Sequence, residues 1–209
     1  MPIKIQPLTK KQLTEIVERY ATVFPDWRLI DGNRLERSSG PVVQQIGFEA
    51  LRSGAYRTAM VMRAAPLPTV RMLHQFLDMK HVQILPRQHP VMWKSVVVAM
   101  EEQFRPSIRK PLDLREVKEL CEQQANESTN DLCMLAILNA YLGEKKKALT
   151  CCERMQTLPP PTLAPRLDWE ERHKEFGLQL RQAIEAGNER QFLDTDLKPK
   201  KVKAEKGQA

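Results

Sequence analysis

Residues 38–49 read SSGPVVQQIGFE, a short polar turn followed by alternating apolar and polar side chains. Alternation with a period of two is typical of a β-strand that is buried on one face only. The face that we expect to be buried holds Val42, Gln44, Ile46, Phe48 and Ala50. Gln45 and Glu49 fall on the opposite face. Because most of the remaining periodicity in the chain is helical, this strand decides the fold class.

The neighbouring segments predict a helix and further strands around this one. Thr9 begins a capping-box pattern, and apolar residues then recur at helical spacing until Pro25. Asp31-Gly32 is a strong signal for a tight hairpin turn. The sequence RSGAY predicts another turn, and residues 58–62 have the length and composition of a strand. We therefore expect an antiparallel sheet of three to four strands packed against the N-terminal helix.

The rest of the chain predicts helices. Val70, Leu73, Phe76 and Leu77 have the spacing of a helical face, and an apolar stripe over residues 93–104 predicts a central helix. Later helices are indicated by capping residues, by the proline run at 159–161 and by a last apolar stripe that ends at Gly187. We predict an α+β fold whose C-terminal part is a helical bundle. The predicted units are 1–88 (α+β), 89–193 (helical) and 194–209 (a disordered lysine-rich tail).

The net charge of +7 is concentrated at the C-terminus. The tail KPKKVKAEKGQA contains five lysines and one glutamate, which leaves the rest of the chain only mildly basic. Lysine-rich segments bind nucleic acid by counterion release, and several arginines lie in or beside the predicted sheet. A nucleic-acid-associated protein is therefore an alternative function. The tail residues that would serve it are Lys198, Lys200, Lys201 and Lys203.

Motifs that indicate catalysis are absent from the sequence. It contains no GxSxG, no glycine-rich phosphate loop and no HExxH pattern. Cys121, Cys133, Cys151 and Cys152 lie in apolar helical segments without zinc spacing, and we interpret them as reduced thiols. A polar pocket around His74, His81 or His89 would instead favour an enzyme. We predict a protein that is not an enzyme and has no metal site and no cofactor.

The sequence also predicts a cytoplasmic protein without membrane insertion. It has no run of about 18 apolar residues, which a spanning helix needs. The first residues, MPIKIQPLTKKQ, lack the apolar core of a secretory signal.

The segment 130–160 resembles a single tetratricopeptide-type helical hairpin. The residues that carry the resemblance are Ala140, Tyr141, Gly143, Ala148, Leu149 and Pro160. They stand where that family has small, aromatic, turn, apolar and stop residues. The resemblance implies two antiparallel helices that pack on each other.

Residues 8–64 resemble small bacterial α+β domains, several of which are immunity proteins of polymorphic or secreted toxin systems. The resemblance is carried by Trp27, Gly32, Leu35, Arg37, Gly40, Val43, Gln44, Ile46 and Phe48. It implies a stoichiometric protein that binds and neutralises a cognate toxin without chemistry of its own. Because the body of this chain is mildly basic, we expect a toxin whose contacted surface is acidic or apolar.

The leading hypothesis is thus a protein-binding immunity factor, and a structural or assembly adaptor is a further alternative. The polar outer face of the sheet and its turns are the predicted partner-binding surface, since polar groups on an exposed antiparallel face can pair with a partner without refolding. The predicted residues are Arg34, Arg37, Gln45, Glu49, Arg52 and Tyr56.

Overall fold

The computed structural model describes residues 7–78, 83–159 and 168–195. These residues form one antiparallel five-stranded sheet, in the order β1-β2-β3-β4-β5, and seven helices. The strands are β1 (Arg28–Ile30), β2 (Arg34–Ser39), β3 (Val42–Ala50), β4 (Tyr56–Ala64) and β5 (Arg71–Phe76). The helices are α1 (Lys10–Ala21), α2 (His89–Gln103), α3 (Leu114–Gln124), α4 (Thr129–Tyr141), α5 (Lys145–Thr157), α6 (Asp168–Glu185) and α7 (Glu189–Thr195). The α+β class is confirmed, but the expectation of three to four strands is wrong.

The fifth strand is the segment that we predicted as a helix. β5 pairs with β4, with Leu73 opposite Met62 and His74 opposite Val61. Six residues are too few to form a stable helix in isolation, whereas pairing with β4 satisfies the same backbone groups in a ladder. Of the apolar residues that suggested helical spacing, Val70, Leu73 and Leu77 are buried, whereas Phe76 is exposed.

Local sequence signals set the first helix and the first hairpin as expected. The Thr9 hydroxyl accepts a hydrogen bond from the Gln12 backbone, and the Gln12 side chain accepts one from the Thr9 backbone, which completes the capping box. Asp31 and Gly32 have φ values of 52° and 73°, as the tight turn requires. A Cβ atom at Gly32 would lie 2.4 Å from the Thr14 hydroxyl, so glycine also permits α1 to approach this turn.

Two hydrophobic clusters lie on the buried face of the sheet. The first joins α1, the middle of the sheet and α2, and it includes Tyr20, Ile46, Val96 and Met100. The second joins the other end of the sheet to the helices α3 to α7. The helix that the stripe over 93–104 predicted is α2. It is central to the core, and it packs against the sheet and α1 of the predicted unit 1–88. The boundary at residue 88 stays a prediction.

The connector, residues 104–113, runs between α2 and α3 without regular structure and is held by Arg37 of β2 and by Trp27, which precedes β1. Arg37 donates from Nη2 to the Ser107 carbonyl (2.6 Å) and from Nη1 to the Lys110 carbonyl (2.7 Å). Trp27 donates from Nε1 to the Ile108 carbonyl over 3.1 Å. These bonds pair carbonyl groups that no helix or strand satisfies.

The same arginine also fixes a buried amide. Arg37 Nε donates to Gln44 Oε1 over 2.8 Å, and Gln44 Nε2 then lies 3.3 Å from the Pro106 carbonyl. The guanidinium carbon sits 4.8 Å from the centroid of the Trp27 ring, within the range of a cation–π contact. Gln44 is fully buried, so losing its partner would leave an unpaired polar group in the core.

The helical half contains the predicted antiparallel hairpin. α4 and α5 pack against each other across the turn at 142–144, where Gly143 has a φ of 81°. The resemblance of this hairpin to a tetratricopeptide repeat stays a prediction. α7, which the sequence did not predict, extends into the proposed tail as far as Thr195, and 196–209 lie outside the described residues. No helix within the described part of the chain is both long and apolar enough to cross a membrane.

Two contacts attach α4 to the sheet. A Cβ atom at Gly40 would lie 2.5 Å from the Tyr141 ring, so only glycine admits the close approach of α4 to the β2–β3 turn. Asn130 pairs with the edge of β5: its Oδ1 accepts from the Arg71 amide (3.1 Å) and its Nδ2 donates to the Arg71 carbonyl (2.8 Å). The Asn130 amide thus occupies a position that another strand would otherwise take.

We expect Arg37→Ala to lower the free energy of unfolding by about 2–3 kcal/mol, because it leaves the Gln44 amide and two connector carbonyls without a donor. Urea denaturation followed by tryptophan fluorescence measures this loss. Arg52→Ala, in the exposed turn after β3, is the matched control and should change stability by no more than about 0.5 kcal/mol. Equal stabilities of the two variants would contradict the role assigned to Arg37.

Candidate functional site

The register of the sheet defines rows of side chains on the face opposite the two clusters. In one row, Arg34 lies opposite Gly47, Gly47 opposite Ala59, and Ala59 opposite Phe76. The next row toward the β2–β3 turn contains Glu36, Gln45, Val61 and His74. On the other side, Glu49 is paired with Arg57. The central row therefore has its two smallest residues in the middle and its two largest at the ends.

This arrangement creates a groove of about 770 Å³, which we call the outer groove. Its lining includes Lys10, Arg34, Gln45, Gly47, Glu49, Arg57, Ala59, Val61, His74 and Phe76. It also includes Leu8, Thr9, Leu13, Asp31, Asn33, Phe48 and Ala50, so the groove reaches the start of α1 and the edge of the first cluster. The floor is low because Gly47 has no side chain and Ala59 has only a methyl group. A Cβ atom at Gly47 would meet only the Ala59 carbonyl oxygen, at 3.9 Å, so there is room above this position.

The carboxylates around the outer groove are already paired with arginines. Glu49 Oε2 accepts from Arg57 Nη2 at 2.6 Å and from Nε at 2.7 Å, and Arg34 forms an ion pair with Asp31. Glu36, behind Gln45, lies between Arg28 and Arg63 and accepts a hydrogen bond from Gln45 Nε2 over 2.6 Å. Lys10 has no ion-pair partner among the described residues. Arg71 has none there either, but it lines a separate pocket with Asn130 and Trp169.

An exposed aromatic ring stands at the β5 end of the outer groove. Phe76 is 50% exposed, which is unusual for so large an apolar side chain. The Arg57 guanidinium carbon lies 5.2 Å from its ring centroid, and the His74 ring centroid lies 4.4 Å from it. Partial burial lowers the pKa of His74, and the charges of Arg71 and Arg57 lower it further.

The structure divides the six residues of the predicted partner surface. Arg34, Gln45 and Glu49 line the outer groove. Arg52 is exposed in the β3–β4 turn, away from the groove lining. Arg37 and Tyr56 lie on the core side, which corrects their assignment to the outer face. The tail lysines Lys198, Lys200, Lys201 and Lys203 lie outside the described residues, as does His81, one of the histidines around which a polar pocket would have favoured an enzyme.

Tyr56 is buried because it belongs to a chain of hydrogen bonds inside the first cluster. Its hydroxyl lies 2.9 Å from the Tyr20 hydroxyl and 2.8 Å from His89 Nδ1. Burial raises the pKa of Tyr56 to about 12, and it lowers the pKa of His89, which Arg19 lowers further. His89 begins α2 and is 5% exposed. These groups bridge α1, the sheet and α2.

The sequence missed the groove residues that belong to β4 and β5. His74 and Phe76 were assigned to a helix, where their spacing does not place them on one face. The signal that favours a strand is the small number of residues between Pro68 and the next loop, which is below the usual length of a helix. Alternation puts Gly47 on the outer face. The space above it, however, follows only from its pairing with Ala59, whose side chain is a single methyl group.

Other nucleophiles and bases lie in the core. Cys121, Cys133 and Cys152 are buried, and burial raises the pKa of the Cys121 and Cys152 thiols to about 12, far from the values of reactive thiolates. Thr69 Oγ1 and His173 Nε2 share a hydrogen bond of 3.0 Å that ties the β4–β5 loop to α6. Within the described ranges, no group of three or more His, Cys, Asp or Glu side chains is arranged to hold a metal ion.

Comparisons with known proteins give no relative. No protein-family model matches the chain, and no curated protein or solved structure matches it significantly.

We expect stability to fall as the pH is lowered from about 6.5 to about 4, because His173 is fully buried and burial lowers its pKa from 6.5 to about 4. In that window the unfolded chain binds a proton at this histidine and the folded chain does not, so unfolding is favoured by up to about 3 kcal/mol. Urea titrations across this range measure the effect.

His173→Gln should remove the part of this dependence that His173 contributes and so flatten the profile, while the part that comes from His89, whose pKa burial also lowers, remains. His74→Gln, at an exposed position, should keep a steeper profile than His173→Gln. The same pH profile in the wild type and in His173→Gln would show that the buried imidazole is not held neutral.

Proposed function

We propose that the protein is a non-catalytic binding factor that associates with one partner protein through the outer groove, and that this partner is a bacterial toxin which it neutralises. The observation that carries the proposal is the groove itself. One face of the sheet is covered by helices through two apolar clusters, whereas the opposite face presents Gly47, Ala59 and Phe76 partly open to solvent. A sheet face of this kind suits contact with another protein.

The composition of the outer groove fits a protein interface. Arginine and aromatic residues are enriched among the side chains that contribute most to protein binding, and Arg57 and Phe76 supply both at one end. The Glu49–Arg57 ion pair holds its side chains in place before binding, which reduces the entropy lost on association. Glycine within a strand often marks a site where another backbone or a ligand approaches closely, and Gly47 has that space.

A protein partner is favoured over nucleic acid by the way the arginines are used. Arg34, Arg57 and Arg63 each lie against a carboxylate, so much of the charge that the sequence suggested for phosphate binding is offset. Only Phe76 offers an exposed ring for base stacking among the described residues of this face. A structural or assembly adaptor would use the same groove without neutralising a toxin.

We expect the product of a neighbouring toxin gene to form a 1:1 complex with this protein, measured by calorimetry, and co-expression to restore growth of cells that produce the toxin. Gly47→Val should weaken the complex at least tenfold, about 1.4 kcal/mol, because its methyl groups fill the floor of the groove. The melting temperature should not fall, since valine favours a strand and a Cβ atom fits.

Arg52→Ala is the control, since Arg52 is exposed and lies outside the groove lining, and it should bind as the wild type does. A toxin that binds without being inhibited would indicate an adaptor. No complex with the neighbouring product, or full affinity of Gly47→Val, would refute the proposal.

A further inference from the structure

The charged side chains of the outer groove neutralise one another in pairs. Glu49 accepts two hydrogen bonds from the Arg57 guanidinium, at 2.6 and 2.7 Å, and Arg34 forms an ion pair with Asp31. Lys10, exposed at the start of α1, is the one charged side chain of the lining that has no ion-pair partner in the described part of the chain. A charged occupant would have to displace an existing partner, whereas an uncharged occupant would not.

Two further polar side chains of the lining add little demand for a polar partner. Gln45 donates from Nε2 to Glu36 Oε2 over 2.6 Å, so its amide group is already bonded. His74 is uncharged near neutral pH, because partial burial lowers its pKa and the charges of Arg71 and Arg57 lower it further. Covering polar groups that are already paired costs much less than covering unpaired ones. The outer groove therefore accepts an apolar group better than a charged one.

Apolar surface borders the open floor of the groove. Phe76 is 50% exposed and lies directly opposite Ala59 in the register of β4 and β5. Elsewhere in the lining, Leu8 and Leu13 present the edge of the first cluster. Between these surfaces a Cβ atom at Gly47 would meet only the Ala59 carbonyl oxygen, at 3.9 Å. An apolar group from another molecule can thus lie on the floor and contact apolar surface beside it.

The neighbours of the floor favour an aromatic ring over an aliphatic chain. The Phe76 ring has the Arg57 guanidinium carbon 5.2 Å from its centroid and the His74 ring centroid 4.4 Å from it. Neighbouring strands lie about 4.8 Å apart, so a ring above the midpoint of Gly47 and Ala59 would stand about 7 Å from the Phe76 backbone. At such distances two rings contact each other, and the contact stabilises them beyond the area that they bury.

We propose that the outer groove binds one uncharged aromatic side chain of the partner protein, placed over Gly47 and Ala59 and against the ring of Phe76. This inference rests on the proposed function and names the chemical group by which the partner is recognised. Of the two partner surfaces that the charge of the chain favours, acidic and apolar, it selects the apolar one. Aromatic side chains that fill a pocket are typical of the residues that contribute most to protein binding.

The probe is N-acetyl-phenylalanine amide, compared with the same derivatives of cyclohexylalanine, glutamate and lysine. At millimolar concentration the phenylalanine derivative should shift the amide resonances of Gly47 and Ala59 in nitrogen-labelled protein. The cyclohexylalanine derivative has the same shape without a π-system, and it should bind about threefold more weakly or worse. The two charged derivatives should leave these resonances unchanged.

Variants locate the binding in the groove. Gly47→Val should abolish the shifts by filling the floor. Phe76→Leu keeps an apolar side chain but removes the ring, so it should weaken binding of the phenylalanine derivative about two- to tenfold and leave that of the cyclohexylalanine derivative unchanged. Leu178→Ala is the matched control, because it removes an apolar side chain of similar exposure, 46%, from α6 outside the groove. It should bind the probe as the wild type does.

The complex with the neighbouring toxin tests the same group in the partner. Replacing each exposed aromatic residue of the toxin by alanine should reveal one whose loss weakens binding about thirtyfold or more. That toxin variant should lose little further affinity for Gly47→Val, because both changes remove the same contact. Additive losses, or a complex that tolerates every aromatic replacement, would refute the aromatic group.

The inference is also overturned if the cyclohexylalanine or glutamate derivative binds as tightly as the phenylalanine derivative, or if the shifts fall outside the groove. Equal weakening by Leu178→Ala and Gly47→Val would overturn it as well. Failure of the phenylalanine derivative while the toxin complex forms would reject the aromatic group alone. Binding of this derivative without a toxin complex would reject the immunity role alone.

Discussion

The backbone carbonyl groups of the connector need hydrogen-bond donors, and the way the two halves of the structure meet depends on the side chains that supply them. The connector lies between the helix of the first cluster and the helices of the second, so its path decides how the two halves meet. Arg37 bonds two of its carbonyls and Trp27 bonds a third. A guanidinium suits this task because its donors lie in one rigid plane, which lysine does not offer.

This constraint gives a physical meaning to the residues on which the immunity-type resemblance rests. Arg37, Gln44 and Trp27 hold the connector, Gly32 admits α1, and Gly40 admits Tyr141 of α4. The polar and glycine positions of that pattern thus attach other elements to the sheet. Residues that fix a fold can be shared by proteins with different partners, and they do not identify the surface that binds one.

Local chemistry explains which parts of the fold were predictable. The capping box at Thr9, the turn at Asp31-Gly32 and the alternation in β3 each depend on a few neighbouring residues, and the structure confirms them. β5 was missed because its strand state depends on pairing with β4, which no local pattern contains. The predicted buried face was correct for Val42, Gln44, Ile46 and Phe48 but wrong for Ala50, which is exposed at the end of β3. The sequence could not show that Arg37 faces the same side and bonds the connector.

The outer groove was predictable in position but not in shape. Alternation placed Gln45 and Glu49 on the outer face, whereas the open floor requires Gly47 and Ala59 to be cross-strand partners. Glycine in the interior of a strand costs roughly 0.5–1 kcal/mol relative to alanine. At Gly32 and Gly40 the fold itself excludes a Cβ atom, but at Gly47 it does not. Packing within the described structure therefore does not account for this glycine, and its absent side chain leaves the room above the sheet that the proposed contact would use.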